Sequence, residues 1–141
     1  MNKLLVIGGI VVAAFVAFFA ARYFFEEQDD LTGSWAVVAM EQQGKKASVK
    51  QVPFKQLTFS KGKVVWLVLT QKGLDEIDGP FRVNSSKNPK EIDLADPEDP
   101  GNFIRAIYEL QADGLVLCIG DPRPRDMSGR GGSLLIFLKR K

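Results

Sequence analysis

From residue 31 onward, apolar side chains recur at every second position in short runs that turn chemistry interrupts. The runs are 34–40 (SWAVVAM), 55–60 (KQLTFS), 63–70 (KVVWLVLT), 76–83 (EIDGPFRV), 91–94 (EIDL), 103–110 (FIRAIYEL), 115–119 (LVLCI) and 134–139 (LLIFLK). Period two places one side of each run in a core and the other in water, so each predicts a strand. Leu57 and Phe59 share a face opposite Gln56, Thr58 and Ser60. Ile77, Phe81 and Val83 oppose Asp78 and Arg82, and Ile104, Tyr108 and Leu110 oppose Arg105 and Glu109. Lys61-Gly62 and Ala112-Asp113-Gly114 read as hairpin turns, while the proline-containing stretches NSSKNPK and ADPEDPGN read as loops. Two runs, 64–69 and 134–138, are apolar on both faces, which predicts that they lie under other structure or face a partner. Residues 41–54 are ambiguous, with a short helix or a loop over one end open for 47–54. Eight short strands in hairpin order predict a mainly β fold, an antiparallel eight-stranded up-and-down barrel, with a β-sandwich as the alternative. A barrel of that size is filled by its own side chains or holds one small ligand.

The first 30 residues follow another pattern. Residues 4–21 (LLVIGGIVVAAFVAFFAA) are 18 positions without a charge, with Lys3 before them and Arg22 and Tyr23 behind. That length predicts one N-terminal transmembrane helix, a signal-anchor, joined through the acidic stretch ending at Asp30 to a domain of residues 31–141. A cleavable signal peptide is the rival, but cleavage after Ala20 or Ala21 would put Phe18 or Phe19 where a small residue belongs. Lys3 favours an inside N-terminus. The expected location is therefore a single-pass protein of the cytoplasmic membrane with its β domain on the periplasmic, outer side. Gly8 and Gly9 would let two helices approach, though lipid-facing filler is the plainer reading.

Composition removes more chemistry than it supplies. The chain has no histidine and one cysteine, Cys118, which excludes an internal disulfide framework and a multi-thiolate metal site. The net charge of +2 is too weak for a nucleic-acid partner. No serine has a histidine to activate it, and Cys118 lies in an apolar run where thiols are inert packing. No catalytic, cofactor-binding or metal-binding residue is assigned, and no cofactor is expected. The acidic stretch 93–102 departs from the EF-hand spacing and reads as a solvated turn. The glycine-rich segment 120–132 carries Arg123, Arg125 and Arg130, a composition able to hold an anion, with a mobile long hairpin as the plainer reading. Residues 42–74 hold seven lysines, from Lys45 to Lys72, without an acid, which reads either as a basic flank toward anionic headgroups or as a solvated surface.

Gly33-Ser34-Trp35 is a G-x-W on the first strand, as in lipocalin-like barrels. The stretches LTGSWAVV, LTFSKGKV, NPKEIDL, AIYELQADGLVLCI, PRPRDM and LLIFLKR together resemble a family of uncharacterised small lipocalin-like β domains common in planctomycete proteins. The resemblance implies a barrel in which Gly33 and Trp35 are structural and Arg140 or Lys139 covers the Trp35 ring. It implies no activity. The function expected is a membrane-anchored, non-enzymatic binding or interaction module. Its partner would be a small apolar or amphiphilic ligand against Trp66, Phe81 and Tyr108, or an envelope protein. Two alternatives stand beside it: a packed barrel acting through surface contacts, and a hydrolase using carboxylates such as Asp78, Glu91, Asp93 and Glu109.

Overall fold

A computed structural model describes residues 30–141 apart from Pro53 and Pro100. The expected membrane span and most of its acidic linker lie outside the described residues, and among these no helix is long and apolar enough to cross a membrane.

Each predicted run forms a strand. They are β1 (Gly33–Gln42), β3 (Phe54–Ser60), β4 (Lys63–Thr70), β5 (Gly73–Asn84), β6 (Lys90–Ala95), β7 (Phe103–Leu110), β8 (Gly114–Ile119) and β9 (Leu134–Arg140). The ambiguous segment supplies a ninth strand, β2 (Lys45–Ala47), and one 3-10 turn at Val49–Gln51. Every pairing is antiparallel, and β9 returns to β1 from Trp35↔Arg140 to Gln42↔Leu134, so eight strands close into a barrel. The β-sandwich is thereby set aside. Strand β2 pairs only with the last three residues of β1 and wedges into the gap where β1 leaves β3.

Two β-bulges explain where strict alternation fails. Register shifts between Val37 and Ala39, so Trp35, Val37 and Met40 all point inward while Val38 is left outside. A second shift between Phe54 and Gln56 does the same for Phe54, Leu57 and Phe59. The interior then stacks Trp35, Leu57, Phe59, Trp66, Tyr108 and Leu117 with their neighbours in one continuous cluster. Leu57, Val64, Leu94, Leu115 and Ile136 are 0% exposed, so they touch neither bulk water nor a void large enough to hold one. The interior is packed by the chain's own side chains.

A second, smaller apolar layer lies outside the barrel. Ile107, Val116, Cys118 and Leu135 project outward from β7, β8 and β9, and the segment 120–133 folds back so that Met127 covers them. One of the two doubly apolar strands, β9, is thus covered as expected. The other, β4, has no such cover: its outward Val65 and Leu67 are half-buried and Leu69 is 51% exposed.

Up-and-down order sorts the connections between two ends. The β3–β4, β5–β6 and β7–β8 connections share one end with residues 30–32 and Lys141, and the remaining connections occupy the other.

Candidate functional site

The three aromatic residues expected to line a ligand cavity are part of the filling. Trp66 is 2% exposed, meets Phe54 edge-on at 4.9 Å and donates its indole N–H to the Ala95 carbonyl at 3.0 Å. Phe81 packs edge-on against Phe59 at 5.0 Å, and Tyr108 is buried beside them in the same cluster. Aromatic rings in this geometry contribute about 0.5–1.5 kcal/mol beyond their burial, so the three act as core.

The three arginines do not share one site: Arg123 and Arg125 line one cleft and Arg130 another. The Arg123 guanidinium is half-buried against β6 and β7. Its Nη1 donates to the carbonyls of Ala106 at 2.8 Å and Ile92 at 3.3 Å, and its Nη2 meets the Asp93 carboxylate at 2.5 Å. Glu91 stands 3.7 Å from Nε. A fork with this many partners is a fastener, and it holds the segment read as a mobile hairpin against the barrel. Arg125 is exposed on an open cleft of about 350 Å³ that Lys87, Glu91 and Arg123 also line. Arg130 stands elsewhere, beside the β1–β2 turn, with Gln43, Gly44 and Ser128 around an open cleft of about 390 Å³. Asp126 turns its carboxylate to the Ser128 hydroxyl and amide, and these two bonds, the hydroxyl first, hold its pKa below the usual carboxylate range.

Arg140 is the residue that covers Trp35, with its guanidinium carbon 4.2 Å from the ring centre, whereas Lys139 is exposed on the outer face. Arg140 also donates to the carbonyls of Thr32 at 2.7 Å and Asp30 at 3.0 Å, and the Trp35 indole donates to the Leu31 carbonyl at 2.8 Å. Gly33 makes room for this clamp. A Cβ there would stand 3.0 Å from Nη1 of Arg140, on a backbone at φ +126°.

The acidic stretch works as turn chemistry. Asp96 accepts from the Glu98 amide at 2.9 Å and Asp99 accepts from the Asn102 side-chain amide. Asp96, Asp99 and Asn102 border an open trough of about 740 Å³ between the β6–β7 loop and Gly120, with Arg82 stacked 4.2 Å over the Phe103 ring at its wall. Of the carboxylates weighed for hydrolysis, Glu91 and Asp93 share the Arg123 fork, while Asp78 meets Lys63 at 2.8 Å. That hydrogen bond, and then the lysine charge, lower the Asp78 pKa.

Comparison with protein-family models, curated proteins and solved structures returns no match. The geometry therefore stands by itself.

Alternation did not foresee the arm formed by the upper parts of β4 and β5. Residues 73–80 pair with β4, from Thr70↔Gly73 to Lys63↔Pro80, whereas β6 meets β5 only from Phe81 to Asn84. Among the described residues, no strand pairs with the other edge of 73–79. Leu69 and Leu74 face each other across the tip and are 51% and 59% exposed. Thr70 closes the turn, donating its hydroxyl to the Gly73 carbonyl at 2.8 Å and accepting from the Lys72 amide at 3.3 Å. An open edge beside exposed leucines is the kind of surface that soluble proteins suppress unless something pairs with it.

Proposed function

We propose that the chain is a membrane-anchored, non-enzymatic interaction module that acts through its outer surface and not through a ligand held in the barrel. The packed interior carries this reading, because residues at 0–3% exposure from every strand of the closed barrel leave no space for a cargo. The contact surface is the β4–β5 arm, where Leu69, Leu74 and the open β5 edge offer backbone pairing and apolar area together. Residues 4–21 supply the anchor, a lipocalin-like ancestry accounts for the G-x-W start, and the barrel stands on the outer side of the cytoplasmic membrane. The absence of histidine from the sequence supports a role in binding over acid–base catalysis.

Native mass spectrometry of residues 30–141 tests the central point. The bare polypeptide mass is expected. A reproducible extra mass that is lost on denaturation would overturn the packed-barrel reading and make the protein a carrier. A photo-crosslinking residue at Leu74 in the full chain is expected to trap one discrete partner, and the same residue at exposed Glu109 is expected to trap none.

A further inference from the structure

The barrel end at which residues 30–32 join the first strand is basic. Lys61, Lys63, Lys87, Lys139, Arg140 and Lys141 stand exposed in its connections and strand ends, against Asp30, Asp78, Glu109 and Asp113, an excess of two positive charges. The Lys63 charge is offset by Asp78, whereas Arg140 keeps its own while it covers Trp35. At the opposite end the exposed charges balance: Lys45, Lys46, Lys50 and Lys72 stand against Asp75, Glu76, Glu98 and Asp99. Folding has thus divided the lysines of residues 42–74 between the two ends and joined some of them to the C-terminal basic residues. The linear lysine flank is not one face. The basic end is.

We propose that this basic end docks on the anionic headgroups of the membrane in which the chain is anchored. The inference rests on the anchor reading and adds to it a second, electrostatic contact. If residues 4–21 form the span, residues 22–29 reach at most about 29 Å even when fully extended. The end where they join the barrel is therefore the end held near the bilayer. Charges act on an anionic surface only within about 8 Å at physiological salt, so the lysines must lie on this end and close to its plane. The N-terminal clamp fixes that orientation, since Arg140 and Trp35 hold residues 30–32 against the last strand. The acidic residues Glu26, Glu27 and Asp29 are the competing occupant of the same charge.

The barrel closes on its own strands within residues 33–140, so an anchorless fragment is a fair test. Residues 22–141, which include the competing acids, are expected to co-sediment with phosphatidylcholine vesicles carrying about one-third phosphatidylglycerol and not with phosphatidylcholine alone. Each lysine near such a surface is worth roughly a five-fold change in partitioning, so Lys87→Gln, Lys139→Gln and Lys141→Gln together should reduce binding at least about ten-fold. Lys45→Gln, Lys46→Gln and Lys72→Gln at the other end should change it less than about two-fold. Equal loss from the two triple variants would overturn the proposal, as would binding that ignores the phosphatidylglycerol. Binding by residues 30–141 but not 22–141 would overturn it too, since the chain's own acids would then occupy the surface. Failure of the anchor reads out separately, as full-length protein that alkaline carbonate strips from membranes.

Discussion

Replacing Arg123 with alanine removes the fastener that holds the segment 120–133 to the barrel. Arg123 and Asp93 have side chains only 22% and 20% exposed, so their ion pair is worth more than a fully wetted one but less than a buried one. About 1–1.5 kcal/mol is reasonable for that pair, because Asp93 keeps Arg82 at 3.2 Å after the change. The two hydrogen bonds to the Ile92 and Ala106 carbonyls add about 0.5–1 kcal/mol each, since water can reach part of the vacated space. The total is about 2–3.5 kcal/mol. For a domain of this size each kcal/mol moves the melting midpoint by roughly 4 °C, so a fall of about 10 °C is expected. Trp35 and Trp66, both buried, report it by fluorescence. Trypsin provides a second readout, because cleavage after Arg125 and Arg130 should accelerate more than global unfolding does. Lysine at position 123 keeps the charge without the fork and should recover less than half of the loss. A midpoint within about 2 °C of the wild type, with unchanged cleavage of the segment, would refute the reasoning.

Other substitutions probe the remaining features. Arg140→Ala removes a cation–π contact and two carbonyl bonds from the N-terminal clamp and should cost about 1–3 kcal/mol, read as a lower denaturant midpoint at unchanged slope. Gly79→Ala would bring its Cβ within 2.6 Å of the Ala95 Cβ, where β5 changes partner from β4 to β6, and should destabilise by about 1–3 kcal/mol in chemical denaturation. Asp78 and Asp126 both have folded pKa values below their unfolded ones, so each adds stability above the unfolded carboxylate range and loses it as pH falls through the folded value. Asp78→Asn and Asp126→Asn should therefore lower stability near neutral pH and flatten its acid decline in thermal melts at stepped pH, with the Asp78 effect reduced by salt.

The strands were legible because their signals are local. Period-two alternation and the Lys61-Gly62 and Asp113-Gly114 turns fixed eight of them to within a few residues. Strand β2 was hidden, since Lys45-Lys46-Ala47 carries no apolar alternation and brings only Ala47 to the core. The bulges at Val38 and Lys55 were equally silent: an extra residue changes which side chains point inward without changing composition. The surface was harder. Apolar character on both faces of 134–138 announced a cover, but nothing near it named Met127, and Glu91 and Asp93 lie some thirty residues before the arginine they hold. Distances of that kind follow from topology. So does the basic end, which assembles lysines from three separate segments.

The N-terminal clamp also has a mechanical meaning. Any pull on the chain ahead of residue 30 arrives at β1 through a joint already fastened to β9 by Arg140 and Trp35. Strand β1 runs antiparallel to β9 along seven residue pairs and to β3 along four, so tension directed along it loads those ladder bonds side by side. Bonds strained together share a load, whereas bonds opened one after another fail at the force of the weakest. Tension that enters through this joint therefore loads β1 in shear along both ladders and does not unzip them pair by pair.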